Sequence, residues 1–306
     1  MLYTVTLNPC LDYVVSVPDF RSGRVNRANQ ERIVPGGKGI NVSYVLNILK
    51  QDTLALGLVG GFTGVEIERL MTEDAIQHDF VHIENGNSRI DVQMINGVES
   101  SINGVGPEIT QRDIDALCDK LQQLEDGDTL VLSGSVPLGA RDTVYSDILH
   151  SVAHKDIYIV VDAKGPLLLN TLKYKPFLIK PNRQEMMDIF YVKPGSIEDI
   201  IRYAKSMQDM GARNVLVSLS SDGAVLVTEN GEIYRHSAMQ GKVYNTVGCG
   251  DSMLAGFLAG YHQNHDFVEA FQLSLAAASA NAFHEGRGTY TEIMKLLNKL
   301  HCEMDE

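Results

Sequence analysis

Cysteine is scarce in this chain. Its four cysteines, Cys10, Cys118, Cys249 and Cys302, lie far apart and form no CxxC pair. Neither a zinc site nor a disulfide framework is indicated, and a reducing, cytoplasmic setting fits best. Positive charge is also in short supply: 26 Lys and Arg face 39 Asp and Glu, a net charge of −13. Such a surface repels phosphate backbones and anionic membranes, so neither nucleic acid nor a membrane is an expected partner, although a local basic pocket can still hold a small anion. No basic leader precedes an apolar core at the N-terminus, and no window holds about 18 uninterrupted apolar residues, so export and membrane insertion are not expected. Repeats with a period of roughly 20 to 50 residues, low-complexity stretches and charge blocks are missing too, which excludes a solenoid.

What is present is the composition of a compact fold, 44% hydrophobic and 21% charged over 306 residues, enough chain for one large domain with a subdomain. Apolar runs of strand length alternate with amphipathic segments of helix length, the pattern of a mostly parallel sheet covered by helices, a doubly wound α/β core. Core strands are expected at Tyr3 to Leu7, Thr53 to Leu58, Thr129 to Leu132, Ile157 to Val161, Phe177 to Ile179 and Val215 to Leu219. Helices are expected to start near Gly39, Gly64, Thr110, Arg141, Asn182, Ser196, Gly250 and Asp266. Two segments break the alternation, 12–35 and 89–106, and read as short strands; Asn96-Gly97 between DVQMI and VESSI is a hairpin signal. They are expected to form a small discontinuous β-sheet lid, leaving 1–11, 36–88 and 107–306 as the α/β core. The plainer alternative is a pair of edge hairpins on the main sheet.

Three motifs carry chemistry. In TVGCGDS (246–252), two glycines lead into a helical run, so backbone N–H groups of Gly248, Cys249 and Gly250 can point at an anion where the helix dipole favours one. Asp251, in the first turn, can accept the proton of an attacking hydroxyl; otherwise it is simply a cap. In PGGKGINV (35–42), Lys38 and Asn41 offer a cation and an amide to a phosphorylated or polyhydroxylated molecule. This is not the Walker pattern, because Gly39 follows the lysine, and a plain loop is the alternative. In KPNRQE (180–185), Asn182 and Glu185 share a helix face and can hold hydrated Mg²⁺ through water, or else form a capping box. The nine histidines are scattered, and none is nominated as catalytic.

In order along the chain, TLNPCLD (6–12), GGKGINV (36–42), VLSGSVP (131–137), IKPNRQE (179–185), SLSSDGA (218–224) and TVGCGDSMLAGF (246–257) resemble the signatures of the PfkB (ribokinase-like) sugar kinases, over essentially the whole chain. VNRA (25–28), SRIDVQ (88–93) and SSINGVGPEI (100–109) are similar to the members acting on ketose phosphates. The resemblance implies a three-layer α/β/α core with a β-sheet lid that often forms a homodimer interface. It further implies ATP-dependent phosphoryl transfer to a ketose phosphate: fructose 1-phosphate, or alternatively tagatose 6-phosphate. A non-catalytic sugar-phosphate sensor is a reading of a different class. Carried over, Asp251 is the general base and Gly248, Cys249 and Gly250 form the anion hole. Asp12, Gly37, Lys38 and Asn41 hold the sugar, while Arg89 and Arg27 engage the phosphate already on the substrate. Lys180, Asn182, Ser218, Ser220, Asp222, Gly223 and Asn281 surround the ATP, with Glu185 and Asn182 toward Mg²⁺.

Three positions depart from the family pattern. Cys249 replaces the usual Ala or Ser, which raises the prospect of oxidation sensitivity. Ser220 stands where glycine is usual, so the turn either tolerates a Cβ or is rebuilt. Val247 replaces a frequent Thr, and no monovalent-cation requirement is expected. Arg89 has a plainer reading as well, an exposed arginine paired with Asp91 or Glu99.

Overall fold

The computed structural model describes residues 1–95, 99–137, 139–193 and 195–304; the Asn96-Gly97 turn and the Cys302 side chain lie outside what it describes. Its strands are β1 Leu2–Thr6, β2 Cys10–Ser16, β3 Gln30–Gly36, β4 Thr53–Gly60, β5 Val81–Ile83, β6 Arg89–Ile95, β7 Glu99–Ile102, β8 Thr129–Ser133, β9 Tyr158–Asp162, β10 Leu178–Ile179, β11 Asn214–Ser218, β12 Ala224–Val227 and β13 Ile233–His236. Nine strands form one sheet in the order β13-β12-β11-β10-β9-β8-β1-β4-β5. From β11 to β5 all pairs are parallel, and β12 and β13 close one edge antiparallel.

A parallel sheet covered on both faces needs strands that are apolar throughout, and β1 and β8 are buried at every position. One face packs on a cluster containing Leu117, Ile148, Met186 and Met207. The other packs on Leu46, Phe257, Leu258 and Ala276, from helices Lys38–Ile48, Cys249–Asn264 and Phe267–Ala282. These are the three layers anticipated from the alternation. All six expected strands form, within a residue or two. The helix expected near Arg141 starts at Val144, and the one near Gly64 at Gly61. Strands β5, β12 and β13 and the helix Tyr290–Met304 went unpredicted. A turn signal for β12–β13 was present, Asn230-Gly231, where the Gly231 N–H donates to Thr228 O at 3.0 Å.

The remaining strands form a separate four-stranded sheet, β3-β2-β6-β7, rather than edge hairpins on the large one. It opens at Cys10, two residues before the boundary expected. Side chains alternate between faces along each strand, and the register sorts them by chemistry. Ile33, Tyr13, Val92 and Ile102 line up across the sheet on one face, with Ile33 and Ile102 exposed. On the other face Asp12 and Asp91 are paired and buried. No helix among the described residues is long and apolar enough to cross a membrane.

Candidate active site

The chain enters the helix Cys249–Asn264 through Gly248, which adopts φ 78°, a left-handed conformation that costs a residue with a Cβ roughly 1–2 kcal/mol. This turn brings the first N–H groups of a 16-residue helix to the carboxyl edge of the large sheet, where ligands of open α/β sheets bind. Gly250 lies against Lys180, since a Cβ there would stand 3.2 Å from Lys180 Nζ. One turn in, Asp251 is buried and accepts a 2.9 Å hydrogen bond from Asn41 Nδ2. Burial pushes its carboxyl up to about 6; Lys38, the Asn41 amide and Lys180 oppose that rise, and Asp162 adds to it. A carboxylate titrating near 6 is suited to taking a proton at neutral pH.

Lys38 donates to Asp162 Oδ1 at 2.9 Å, and Lys180 Nζ faces Oδ2 of the same carboxylate at 3.3 Å, an ion pair without hydrogen-bond alignment. Asp162 is fully buried at the end of β9. Burial would raise its carboxyl, but Lys180 and Lys38 outweigh that and hold it below the usual range. Burial would likewise depress Lys38, yet Asp162, Asp251 and Glu185 keep its ammonium protonated. The site is thus a string of alternating charge, buried at Asp162, Lys180 and Asp251 and part-exposed at Lys38. Asp162 escaped sequence reasoning, although its position at the carboxyl end of a core strand was a usable signal.

A second cluster lies on the buried face of the small sheet. Asp12 accepts a bond from Cys10 Sγ at 3.0 Å, and its carboxyl is raised by burial. Arg89 is not an exposed surface arginine. It donates from Nε and Nη2 to Asn8 O at 3.0 and 2.8 Å, and from Nη1 to Asp91 Oδ2 at 2.7 Å. Asp91 is therefore its partner, as the plainer reading had it, while Glu99 is not. Glu99, on β7, instead accepts from the backbone N–H of Thr246 at 2.9 Å and from its hydroxyl, tying the small sheet to the loop before Gly248. Arg27 is exposed between β2 and β3, without an ion pair among the described residues.

Asn182 and Glu185 form the capping box of helix Arg183–Phe190: Glu185 N–H donates to Asn182 Oδ1 at 2.8 Å and Asn182 N–H to Glu185 Oε2 at 2.9 Å. Glu185 is nonetheless buried and close enough to Lys38 to act on its charge. Ser218 bridges to Asn182, so the loop with Ser220, Asp222 and Gly223 follows beside this helix; Arg183 holds Asp222 at 2.6 Å. Ser220 has φ 55°, so the turn keeps its left-handed residue and carries the strain of a Cβ. Asn281 braces the loop that leads into Gly248, donating to Val247 O at 2.9 Å and facing Cys249 Sγ at 3.5 Å. The Cys249 thiol is pushed up by burial, which disfavours the thiolate and the oxidation anticipated for it. Gly37 caps the helix that carries Lys38 and Asn41.

One further residue was missed. Arg287, between Gly286 and Gly288, donates from Nη2 to Asn41 Oδ1 at 3.1 Å and to Pro35 O at 2.9 Å. An arginine set between two glycines in EGRGTY was the signal available.

A family model described as pfkB family carbohydrate kinase matches residues 5–293. A 1-phosphofructokinase of Bacillus subtilis is 41% identical, the match covering 97% of each chain. A D-tagatose-1-phosphate kinase of Bacillus licheniformis is 37% identical over 96% of each. Among solved structures, a Staphylococcus aureus protein provisionally described as a phosphofructokinase is similar with a TM-score of 0.84 and 38% identity, covering 97% of each chain.

Proposed function

The chain belongs to the pfkB family of carbohydrate kinases and is a phosphotransferase with an alcohol acceptor that uses ATP; we propose that it phosphorylates D-fructose 1-phosphate to D-fructose 1,6-bisphosphate. The observation that carries this reading is Asp251: buried at a helix N-terminus, hydrogen-bonded to Asn41, beside two lysines, with a carboxyl near 6. The acceptor hydroxyl gives its proton to Asp251, its oxygen bonds to the γ-phosphorus, and the bond from that phosphorus to the bridging oxygen breaks to leave ADP. N–H groups of Gly248, Cys249 and Gly250, with Lys38 and Lys180, face the charge that spreads over the transferring group. A pure sensor needs no such base.

Asp12, Gly37, Lys38 and Asn41 hold the sugar, and Arg89, already aimed by Asp91 and Asn8, meets the resident phosphate with Arg27. Lys180, Asn182, Ser218, Ser220, Asp222 and Gly223 border the nucleotide, with Asn281 acting through the loop it braces. Glu185 is a buried, hard oxygen donor near Lys38 and would hold a hydrated Mg²⁺ through water. Bound there, Mg²⁺ would neutralise phosphate charge. The segments 12–35 and 89–106 act as a lid excluding water, coupled to the anion hole through Glu99 and Thr246. The apolar row Ile33, Tyr13, Val92 and Ile102 on the lid's outer face supports a homodimer through that surface. The reading carries a cytoplasmic location, where ATP is at hand.

A second reading is supported by the 37% identical relative named for tagatose 1-phosphate. That acceptor differs from fructose 1-phosphate only in configuration at C4 and carries its phosphate at the same end, unlike tagatose 6-phosphate. ADP release measured with both 1-phosphates and tagatose 6-phosphate tests all readings. Fastest release is expected with fructose 1-phosphate. A preference for tagatose 1-phosphate would select the second reading, and no release with any ketose phosphate would leave the sensor.

A further inference from the structure

Asn41 stands between Asp251 and Arg287. Its Nδ2 donates to Asp251 Oδ2 at 2.9 Å, and its Oδ1 accepts from Arg287 Nη2 at 3.1 Å. An amide has one donor end and one acceptor end, so a fixed cation at the acceptor end decides which end meets the carboxylate. A flipped Asn41 would set donor against donor at Arg287 and oxygen against oxygen at Asp251, unless Asp251 carried a proton. Arg287 is itself held firmly: the same Nη2 donates to Pro35 O at 2.9 Å, and its guanidinium lies 3.9 Å over the Tyr44 ring, whose hydroxyl donates to Asp74 at 2.7 Å.

We propose that Arg287 is a positioning residue that holds the Asn41 amide with its nitrogen toward Asp251, keeping the base ionised and aimed at the acceptor hydroxyl. The inference rests on Asp251 as the base. It matters because burial already opposes ionisation of that carboxyl, with Asp162 adding to it, and Lys38, the Asn41 amide and Lys180 only partly offset them. Around Arg287 stand Tyr44, Asp12, Asp74 and Arg32, none of which offers Asn41 Oδ1 a donor among the bonds described. Without Arg287, Asn41 is free to flip and accept from a protonated Asp251, so the protonated form gains a partner that it lacks at present.

The test is the pH dependence of kcat/KM for the ketose phosphate that turns over fastest. Arg287→Met keeps an apolar stem beside Tyr44 but removes the donors. Its acidic limb should move up by about one pKa unit, so that activity near pH 5 falls about tenfold more than near pH 9. Arg287→Lys should recover part of the shift, and it carries the test if Arg287→Met does not fold. In an Asn41→Ala background the Arg287 substitution should add no further shift, because its route is gone. A uniform loss at every pH, or a shift that persists without Asn41, overturns the proposal. Asp251→Asn separates the two levels. If it keeps more than a tenth of wild-type kcat, the base reading fails and takes this inference with it; if it is inactive while the Arg287 profiles stay parallel to wild type, only the positioning role fails.

Discussion

At the carboxyl edge of the large sheet, Asp162 and Asp251 are buried near Lys38 and Lys180; on the inner face of the small sheet, Asp12 and Asp91 are buried near Arg89. The ingredients are alike and the outcomes are not. Arg89 has a planar fork, and it commits all three of its nitrogens to directed bonds with Asp91 and Asn8. The two lysines are point charges, and both settle on Asp162. Asp251 is left with an amide as its closest partner, so burial dominates and its carboxyl rises to about 6. At the small sheet the fork ties Asp91 in place, while Asp12 accepts from the Cys10 thiol and is raised by burial. At the large sheet the shortfall of positive charge falls on Asp251.

Asp251→Asn should break the comparison most severely. Turnover is expected to fall about 10² to 10⁴-fold, read as ADP release at saturating substrates, and a residual rate above a tenth of wild type would reduce Asp251 to a cap. The same variant should gain stability at neutral pH. A folded pKa near 6, above the ordinary carboxylate value, means the native state holds this proton more tightly than the unfolded chain. Stability from this group is therefore present in acid and declines as pH rises from about 4 through 6. Urea unfolding should show the Asn variant more stable than wild type by on the order of 2 kcal/mol at pH 8, with the gain vanishing near pH 4. A gain that is constant with pH would contradict the titration.

Arg89→Ala tests the small-sheet cluster and should act on two readouts together. Leaving Asp91 buried without its partner is expected to cost about 3 kcal/mol of stability. The KM for the sugar phosphate should rise about tenfold to a hundredfold, because a charge-assisted phosphate contact is lost, while the KM for ATP stays put. Arg89→Lys keeps the charge without the fork and should recover only part of each. Loss of stability with unchanged kinetics would make Arg89 purely structural.

The smallest effect sharpens the comparison at a third place, the turn between β11 and β12. Ser220→Gly should relieve the left-handed strain at φ 55° and stabilise the fold by roughly 1 kcal/mol, less the extra backbone freedom of glycine in the unfolded chain. Thermal unfolding reads it. A decrease in Tm would mean that the serine hydroxyl matters more than the strain.

Much of this was legible in the residues. The apolar runs that became β1, β4, β8, β9, β10 and β11 were plain because parallel strands buried on both faces must be apolar throughout. The two segments that interrupted the alternation became a separate sheet for a local reason as well, since period-two patterning and turn residues need only neighbours in sequence. Gly248, Gly250 and Asp251 were readable because a glycine turn into a helix N-terminus is a local device. The capping box of Asn182 and Glu185 was readable too, although its spacing alone did not separate a cap from a metal site.

What no local pattern could disclose is which side chains meet across the carboxyl edge. Lys38 and Asp162 are 124 residues apart, Glu99 and Thr246 are 147, and Asn41 and Arg287 are 246. Residue types and helix starts follow from short-range sterics and hydrogen bonding, which the order of residues states directly. Partners at these separations follow from strand order in the sheet and from how two sheets pack. Those decided that two lysines would be spent on Asp162, that Arg89 would be tied to Asp91, and that Asp251 would face an amide held from behind by Arg287.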